Sequence, residues 1–304
     1  MNQESQPNPE VVSEAHEMRL SETEQAVVRE VERLDVGLDL GRHLRVRERL
    51  AELGEHFADS VAMACIIETL FVPLKERLDL PDESPKRLMR AAVLHDIGKS
   101  GPAGERGKFH DFVRRLFITP ERPFALRREG HDKTIGEFVS AQEMADKDEC
   151  LATLREWGID PDTEPAIEFW RRHAQWGYDV LRDEMGPDID EDTVLIVATH
   201  HLLEGKNPAG LNLEEVPVGA HVIEVLEMAE LMAAVDKYQA FRDRGHLDHE
   251  RTVAALRKMV GDNHELSETA HAKFHAILDV LDGAKDEMEK LLVLDGKQGA
   301  ATSG

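Results

Sequence analysis

Residues 81–98 read PDESPKRLMRAAVLHDIG, and this stretch decides the predicted fold. It begins with proline, serine and aspartate, which are typical of a helix start, and it ends at Gly98, which is typical of a helix end. Apolar residues recur between them at helical spacing. The stretch therefore predicts a helix with His95 and Asp96 at the end of an apolar run, where a buried aspartate needs a partner.

Similar helical patterns fill most of the chain, and alternating β patterns bounded by turn residues are nearly absent. The residues VLIVATHH are β-rich in composition, but a buried helix fits their apolar run equally well. We therefore predict a mainly α fold. The further helical stretches are 40–71 with a break at Gly54, 166–185, 190–205, 215–243, 250–260 and 267–294.

The 304 residues fit one large helical domain or two ordinary ones. We expect one domain over residues 36–295, between a flexible acidic extension at 1–35 and a flexible tail at 296–304. Residues 100–165 contain glycines, prolines and many charges, and we predict that they form an inserted loop-and-helix segment. Such a segment could be a lid, a surface for a partner protein or a sensor.

The composition of the chain argues against several classes of partner and location. Asp and Glu number 61 against 37 Lys and Arg, which gives a formal net charge of −24 and argues against a broad nucleic-acid or anionic-membrane surface. The two cysteines, Cys65 and Cys150, are too few for a disulfide framework. We see no signal peptide and no apolar run of roughly 18 residues, so we expect a cytoplasmic protein.

Several histidines and acids lie beside apolar runs or aromatic residues. Each alone has a structural explanation, since a histidine can simply pack and an aspartate can cap a helix or pair with a lysine. Together they supply the nitrogen and oxygen ligands that suit Fe, Mn, Ni or Zn, without the thiolates of a closed structural zinc site. The candidate metal ligands are His43, His95, Asp96, His173, His200, His201 and Asp236, with Asp39 one turn before His43.

The order and context of these residues resemble the HD-GYP branch of the HD metal-dependent phosphohydrolases, from about Asp39 to about Leu281. The segment GRHLRVRERLA resembles the family's first ligand helix, and LHDIGK matches its signature motif. RRHAQWGYDVL resembles the segment of the next histidine, ATHHLLEGKNPAG the double-histidine and GYP-loop region, and AELMAAVDKYQAF the helix of the last aspartate.

The resemblance implies an HD-domain-like helical bundle around two divalent metal ions, most typically Fe or Mn. It assigns His43, His95, Asp96 and Asp236 to one metal. It assigns Asp96, His173, His200 and His201 to the other. Some members hold a third metal, for which Asp39 would be the ligand in place of the family's glutamate.

The resemblance also implies an activity, which is hydrolysis of cyclic di-GMP to pGpG or GMP by a metal-bridging hydroxide. Asp96 and Lys99 would act in catalysis, and Lys99 is also placed to reach a phosphate oxygen, although a lysine there can equally favour the helix dipole. The remaining candidate substrate contacts are Asn207, Arg242 and Arg244.

Four departures from the family pattern bear on this expectation. The loop EGKNPAG at 204–210 has lost the family's tyrosine, and leucines follow His201 where a glutamate is common, although Glu204 could replace it. Residues 100–165 are extra, and their basic pairs, at 114–115 and 127–128, either face solvent or meet phosphates. The spacing before the last ligand leaves Glu227 as an alternative to Asp236.

These departures keep two other functions open. The chain could hydrolyse another cyclic dinucleotide or a nucleotide at the same metals. It could also be a catalytically weak nucleotide-binding or scaffold protein, with a protein partner at residues 100–165. We expect no nucleic-acid polymer and no membrane as partner.

Overall fold

The structure is a computed structural model, and the part described here is almost entirely helical. It contains one isolated bridge, between Thr134 and Pro165, and no strand among these residues. The prediction of a mainly α fold is therefore confirmed. The described residues are 20–78, 80–104, 107–117, 133–141, 146–204, 222–243, 245–264 and 266–291.

The helices follow one another with short connections, and turns of 3₁₀ helix at Ile97–Ser100, Gly186–Asp188 and Leu202–Glu204 separate some of them. A last helical stretch covers residues 285–291. In chain order the helices are α1 (Glu22–Leu34), α2 (Leu44–Glu52), α3 (Glu55–Leu78), α4 (Ser84–Leu94), α5 (Lys108–Phe117), α6 (Ile135–Ala141), α7 (Lys147–Glu156), α8 (Ala166–Glu184), α9 (Glu191–Ala198), α10 (Val222–Asp243), α11 (His249–Asp262) and α12 (Glu268–Gly283).

Helix α4 forms much as its sequence predicts, with a proline in its first turn and a buried apolar face. It ends at Leu94, and the chain then tightens into the turn Ile97–Ser100. Gly98 lets this turn lie directly on α8, because a Cβ atom there would be 1.9 Å from the carbonyl oxygen of His173. This close approach places Asp96 next to His173, in the middle of α8.

Most helices share one main hydrophobic core, to which α1–α4, the second half of α8 and α9–α12 contribute. Within it, α3 contains an 18-residue window with a mean hydropathy of 1.7, so by length and composition it could cross a membrane, contrary to our expectation that no run is long enough. Half of that window is buried inside the molecule, and core helices of this composition are common. Cytoplasmic location therefore stays a prediction.

Helix α1 differs from the expected flexible extension at 1–35. Ser21 and Glu24 form a capping box at its start, and Val27, Val31 and Leu34 are buried in the main core. The buried stripe, at helical spacing, makes residues 22–34 part of the domain. Residues 1–19 and the predicted tail at 296–304 lie outside the described residues.

The predicted insertion at 100–165 contains a small helical unit, which we call the insertion unit and define as α5–α7. It has its own hydrophobic core, which it shares with the first half of α8. The largest buried side chains of that core are Phe109, Phe112, Phe138, Phe169, Trp170 and Trp176. The unit therefore packs on the helix that carries His173, and the basic pair at 127–128 lies outside the described residues.

Candidate metal centre

Four segments of the main core bring polar side chains to one buried place. His95 and Asp96 follow α4, His200 and His201 follow α9, and α8 and α10 supply one residue each. All six are buried although they are polar. The first two pairs follow apolar runs that place the ends of α4 and α9 in the core, whereas the other two residues lie within α8 and α10. We call these residues the histidine–aspartate cluster: His95, Asp96, His173, His200, His201 and Asp236.

Three of the imidazoles form the tightest part of the cluster. The Nε2 atom of His173 lies 3.1 Å from Nε2 of His200 and 3.2 Å from Nε2 of His201. One ligand atom from each of the three rings lies within 4.8 Å of the others, which is a spacing that a single metal ion can bridge. These residues therefore fit one three-nitrogen metal site.

Asp96 joins this group to a second set of ligands. Its Oδ1 lies 3.5 Å from Nε2 of His173, whereas its Oδ2 lies 3.4 Å from Nε2 of His95. His95 in turn lies 3.9 Å from Oδ1 of Asp236. The two oxygens of one carboxylate thus face two different groups of ligands, which is what a carboxylate that bridges two metals requires.

The hydrogen bonds of the rings fix which nitrogen faces the centre. Nδ1 of His95, His173 and His200 lies 2.8, 2.5 and 2.6 Å from the backbone carbonyl three residues earlier. A carbonyl can only accept, so each Nδ1 carries a proton and Nε2 is the nitrogen that each ring turns toward the centre. Lone pairs 3.1 Å apart repel unless a cation lies between them. The ligand set therefore fits a metal.

The pKa values of the cluster residues favour the protonation states that a metal site needs. Burial lowers the pKa of His173, and burial together with the neighbouring His173 lowers the pKa of His200 well below its usual value. Burial alone would raise the pKa of Asp96, but His95, Lys99 and His173 lower that pKa well below its usual value. Neutral imidazoles and an ionised carboxylate are the protonation states that metal binding needs.

Two buried lysines balance the two buried aspartates. Nζ of Lys99 donates a hydrogen bond to Oδ2 of Asp96, and Nζ of Lys237 lies 3.0 Å from Oδ2 of Asp236. Lys99 lies one helical turn after Asp96, at the place predicted for it. A buried ammonium there supplies positive charge beside any phosphate that enters the centre.

His56 at the start of α3 completes this side of the centre, although the sequence analysis did not single it out. Its Nδ1 lies 3.3 Å from Nζ of Lys99 and 3.7 Å from Oδ2 of Asp96. Its Nε2 lies 3.0 Å from the backbone carbonyl of Phe117, so Nε2 carries the proton and Nδ1 presents its lone pair. The insertion unit thereby fixes the tautomer of His56.

His43, predicted as the first ligand, lies elsewhere. It precedes α2, and its Nε2 lies 3.4 Å from Oδ2 of Asp188 in the turn after α8. His56, and not His43, is the histidine of this part of the chain that lies beside Asp96 and Lys99. A helical pattern contained the signal, because His56 shares one face of α3 with the buried Ser60, Met63 and Ile67.

The predicted third-metal ligand Asp39 is also away from the cluster. Its side chain is exposed, and its Oδ1 accepts hydrogen bonds from the backbone of Gly41 and Arg42 at 3.0 and 3.3 Å. Asp39 therefore closes a surface turn away from the cluster, and a third metal there stays a prediction that the structure does not support. The geometry also decides between Asp236 and Glu227, because Glu227 pairs with Lys273 at 3.0 Å while Asp236 reaches the cluster.

The remaining predicted substrate contacts are not at the cluster or are not described. Arg242 is half-buried and its Nη2 pairs with Glu289 at 3.3 Å, near the C-terminal end of the described chain. Asn207 and Arg244 lie outside the described residues.

Comparison of the chain with protein-family models, with curated proteins and with solved structures finds no match. The function is therefore argued from the cluster itself. Its chemistry is that of a buried centre lined by carboxylates and imidazoles beside a buried lysine, which suits divalent cations and phosphate esters.

Proposed function

We propose that the chain is a metal-dependent phosphohydrolase that hydrolyses cyclic di-GMP to pGpG or GMP, in the cytoplasm. The single observation that carries the proposal is the bridging placement of Asp96, whose two oxygens lie 3.5 and 3.4 Å from Nε2 of His173 and His95. A carboxylate placed in this way can hold two metal ions close together, and two adjacent ions are the arrangement that many phosphoester-cleaving enzymes use.

The residues divide into two ligand groups around Asp96. His173, His200 and His201 would hold one divalent ion with Oδ1 of Asp96. His95 and Asp236 would hold the other with Oδ2 of Asp96, and His56 lies beside that oxygen. When bound, two such ions polarise a phosphodiester and make water a nucleophile near neutral pH.

The side chains of the protein have three tasks in this reaction. The Nδ1–H groups of His95, His173 and His200 hold the rings so that their lone pairs stay aimed at the centre. Lys99 keeps a proton at Nζ and presents positive charge to a phosphate oxygen. The surrounding apolar residues exclude water, which strengthens each of these interactions.

A phosphodiesterase fits the charge of the molecule. The net charge of −24 would repel a dinucleotide unless cations were concentrated locally. The two ions and Lys99 would supply that local positive field. The choice of cyclic di-GMP as substrate rests on the family resemblance.

A second candidate is the hydrolysis of another cyclic dinucleotide or of a nucleotide at the same centre. The observation that favours it is the loop at 204–210, EGKNPAG, which lacks the tyrosine of the resembled family. The metal ligands would be unchanged, and only the contacts to the bases would differ.

Product chromatography tests the proposal. The full chain would be purified without oxygen, loaded with Fe(II) or Mn(II), and incubated with cyclic di-GMP and with a panel of mononucleotides. We expect pGpG or GMP from cyclic di-GMP, and none after chelation of the metal. Turnover of mononucleotides alone would support the second candidate, and no turnover by protein that carries two ions would refute both.

A further inference from the structure

The two adjacent arginines of α5, Arg114 and Arg115, have different surroundings. Arg115 is exposed and its guanidinium forms a two-point ion pair with Asp146, at 3.2 and 2.9 Å. Arg114 is half-buried, and its Nε is fully buried without a hydrogen-bond partner among the described residues. Buried donors are normally paired, so an unpaired one indicates a missing acceptor.

Arg114 shares one face of α5 with two residues that contact the surroundings of the metal centre. It is four residues after His110 and three before Phe117, so the three share one face of the helix. His110 packs against Gly101, in the turn after Lys99, and its Nε2 pairs with Glu52 at 3.0 Å. Phe117, at the other end of this helix face, contacts residues of the metal centre directly.

Phe117 makes that direct contact with two residues of the centre. Its carbonyl oxygen lies 3.0 Å from Nε2 of His56, and its ring centroid lies 5.7 Å from that of His173. Arg114 is three residues earlier, a rise of about 4.5 Å along the helix. The long side chain of Arg114 therefore starts within one helical turn of a residue that borders the proposed reaction site.

A substrate with two phosphates needs cations at two places. The proposed metals and Lys99 serve the phosphate that is cleaved. A guanidinium suits the second phosphate, because its planar N–H groups donate to two oxygens at once. In an acidic chain, an arginine with no acidic partner among the residues that the structure describes is a cation available to a ligand.

We infer that Arg114 binds a second phosphate group of the substrate, one that is not cleaved, at the border between the insertion unit and the histidine–aspartate cluster. The inference rests on the proposed function, and it gives the insertion unit a role in substrate selection. A substrate with two phosphates would gain from Arg114, whereas one with a single phosphate would not.

Two substrates and three variants test the inference. The full chain loaded with Mn(II) would be assayed with cyclic di-GMP, which has two phosphates, and with bis(p-nitrophenyl) phosphate, which has one. Arg114→Gln should raise KM for cyclic di-GMP about 10- to 100-fold, as expected for a lost charge-assisted hydrogen bond, with kcat nearly unchanged. Its kcat/KM for bis(p-nitrophenyl) phosphate should stay within about 2-fold of wild type, because that substrate has no second phosphate.

The neighbouring arginine provides the matched control. Arg115→Gln removes an exposed ion pair from the same helix and should leave both substrates within about 2-fold of wild type. Arg114→Lys keeps a charge without the planar fork and should restore part of the affinity. Equal effects of Arg114→Gln and Arg115→Gln, or an equal loss for both substrates, would overturn the inference.

Calorimetric binding of cyclic di-GMP to the same proteins separates this inference from the proposed function. Weaker binding by Arg114→Gln alone, in a protein that hydrolyses neither substrate, would support the phosphate site and refute the phosphohydrolase. Hydrolysis of bis(p-nitrophenyl) phosphate by a wild-type protein that does not bind cyclic di-GMP would support a phosphohydrolase and refute the phosphate site at Arg114. Thermal melting of each variant confirms that it is folded.

Discussion

The two hydrophobic cores of the molecule bury different kinds of side chain. The main core encloses the imidazoles and carboxylates of the histidine–aspartate cluster, whereas the core of the insertion unit is built largely from aromatic rings. Buried polar groups are costly in free energy, and aromatic burial is favourable. We therefore expect substitutions in the histidine–aspartate cluster mainly to remove function, and substitutions in the core of the insertion unit mainly to lower stability.

Replacing the bridging carboxylate should have the largest effect. Asp96→Asn removes the charge that both ligand groups share, so we expect turnover to fall about 10³-fold or more and bound metal to be lost. Product chromatography and elemental analysis measure the two quantities. Asp39→Asn is the control, since Asp39 is exposed in a surface turn and should leave both unchanged. A variant of Asp96 that keeps metal and turnover would contradict the site.

Matched substitutions in the two cores should separate stability from function. Phe169 is fully buried in the insertion core, and Phe169→Ala should lower the free energy of unfolding by about 3–5 kcal/mol. His200→Leu removes a buried polar ring from the cluster and should change the stability of the metal-free protein by less than about 1 kcal/mol, or raise it. Urea unfolding of metal-free protein tests both, and the contrast fails if His200→Leu is the more damaging change.

Two histidines at helix starts sharpen the comparison within the main core. His56 lies beside Asp96 and Lys99, while His43 pairs with Asp188. We expect His56→Ala to lower turnover about 100-fold and His43→Ala to change it less than about 2-fold. Steady-state kinetics with metal-loaded protein measures the difference. The reverse ranking would restore His43 as the ligand.

A buried acid outside the cluster should show the smallest effect, through pH. Burial raises the pKa of Glu230 to about 7, although Lys273 opposes it. The folded state then binds a proton that the unfolded state has released, so stability decreases as pH rises from about 4.5 to about 7. Glu230→Gln should remove this decrease and stabilise the protein at pH 8 by about 1–3 kcal/mol. Urea midpoints at pH 5 and pH 8 measure it, and equal pH slopes in both proteins would contradict it.

Local sequence patterns predict much of the fold and part of the site. The helix before His95 and Asp96 follows from its apolar spacing and its end signals, and the polar residues after VLIVA are buried as the run suggests. Such patterns act within one helix. They say that a polar residue is buried, and they do not say which helix it meets.

The rest of the site depends on packing between helices. His43 and His56 both lie at helix starts, and the contact of His56 with Lys99, in the turn Ile97–Ser100, is what distinguishes His56. Asp236 and Glu227 lie on the same helix, α10, but Glu227 forms an ion pair with Lys273 of α12. The helical core of the insertion unit is likewise a tertiary result, because it forms against aromatic residues of α8.

The most direct test of the central claim is the electron paramagnetic resonance spectrum of the full chain titrated with Mn(II), with bound ions counted by elemental analysis. The account predicts two ions per chain and a spin-coupled signal, since Asp96 presents one oxygen to each ligand group. It also predicts that Asp96→Asn abolishes the coupling. One ion per chain, or two ions without coupling in the wild type, would contradict a bridged two-metal centre.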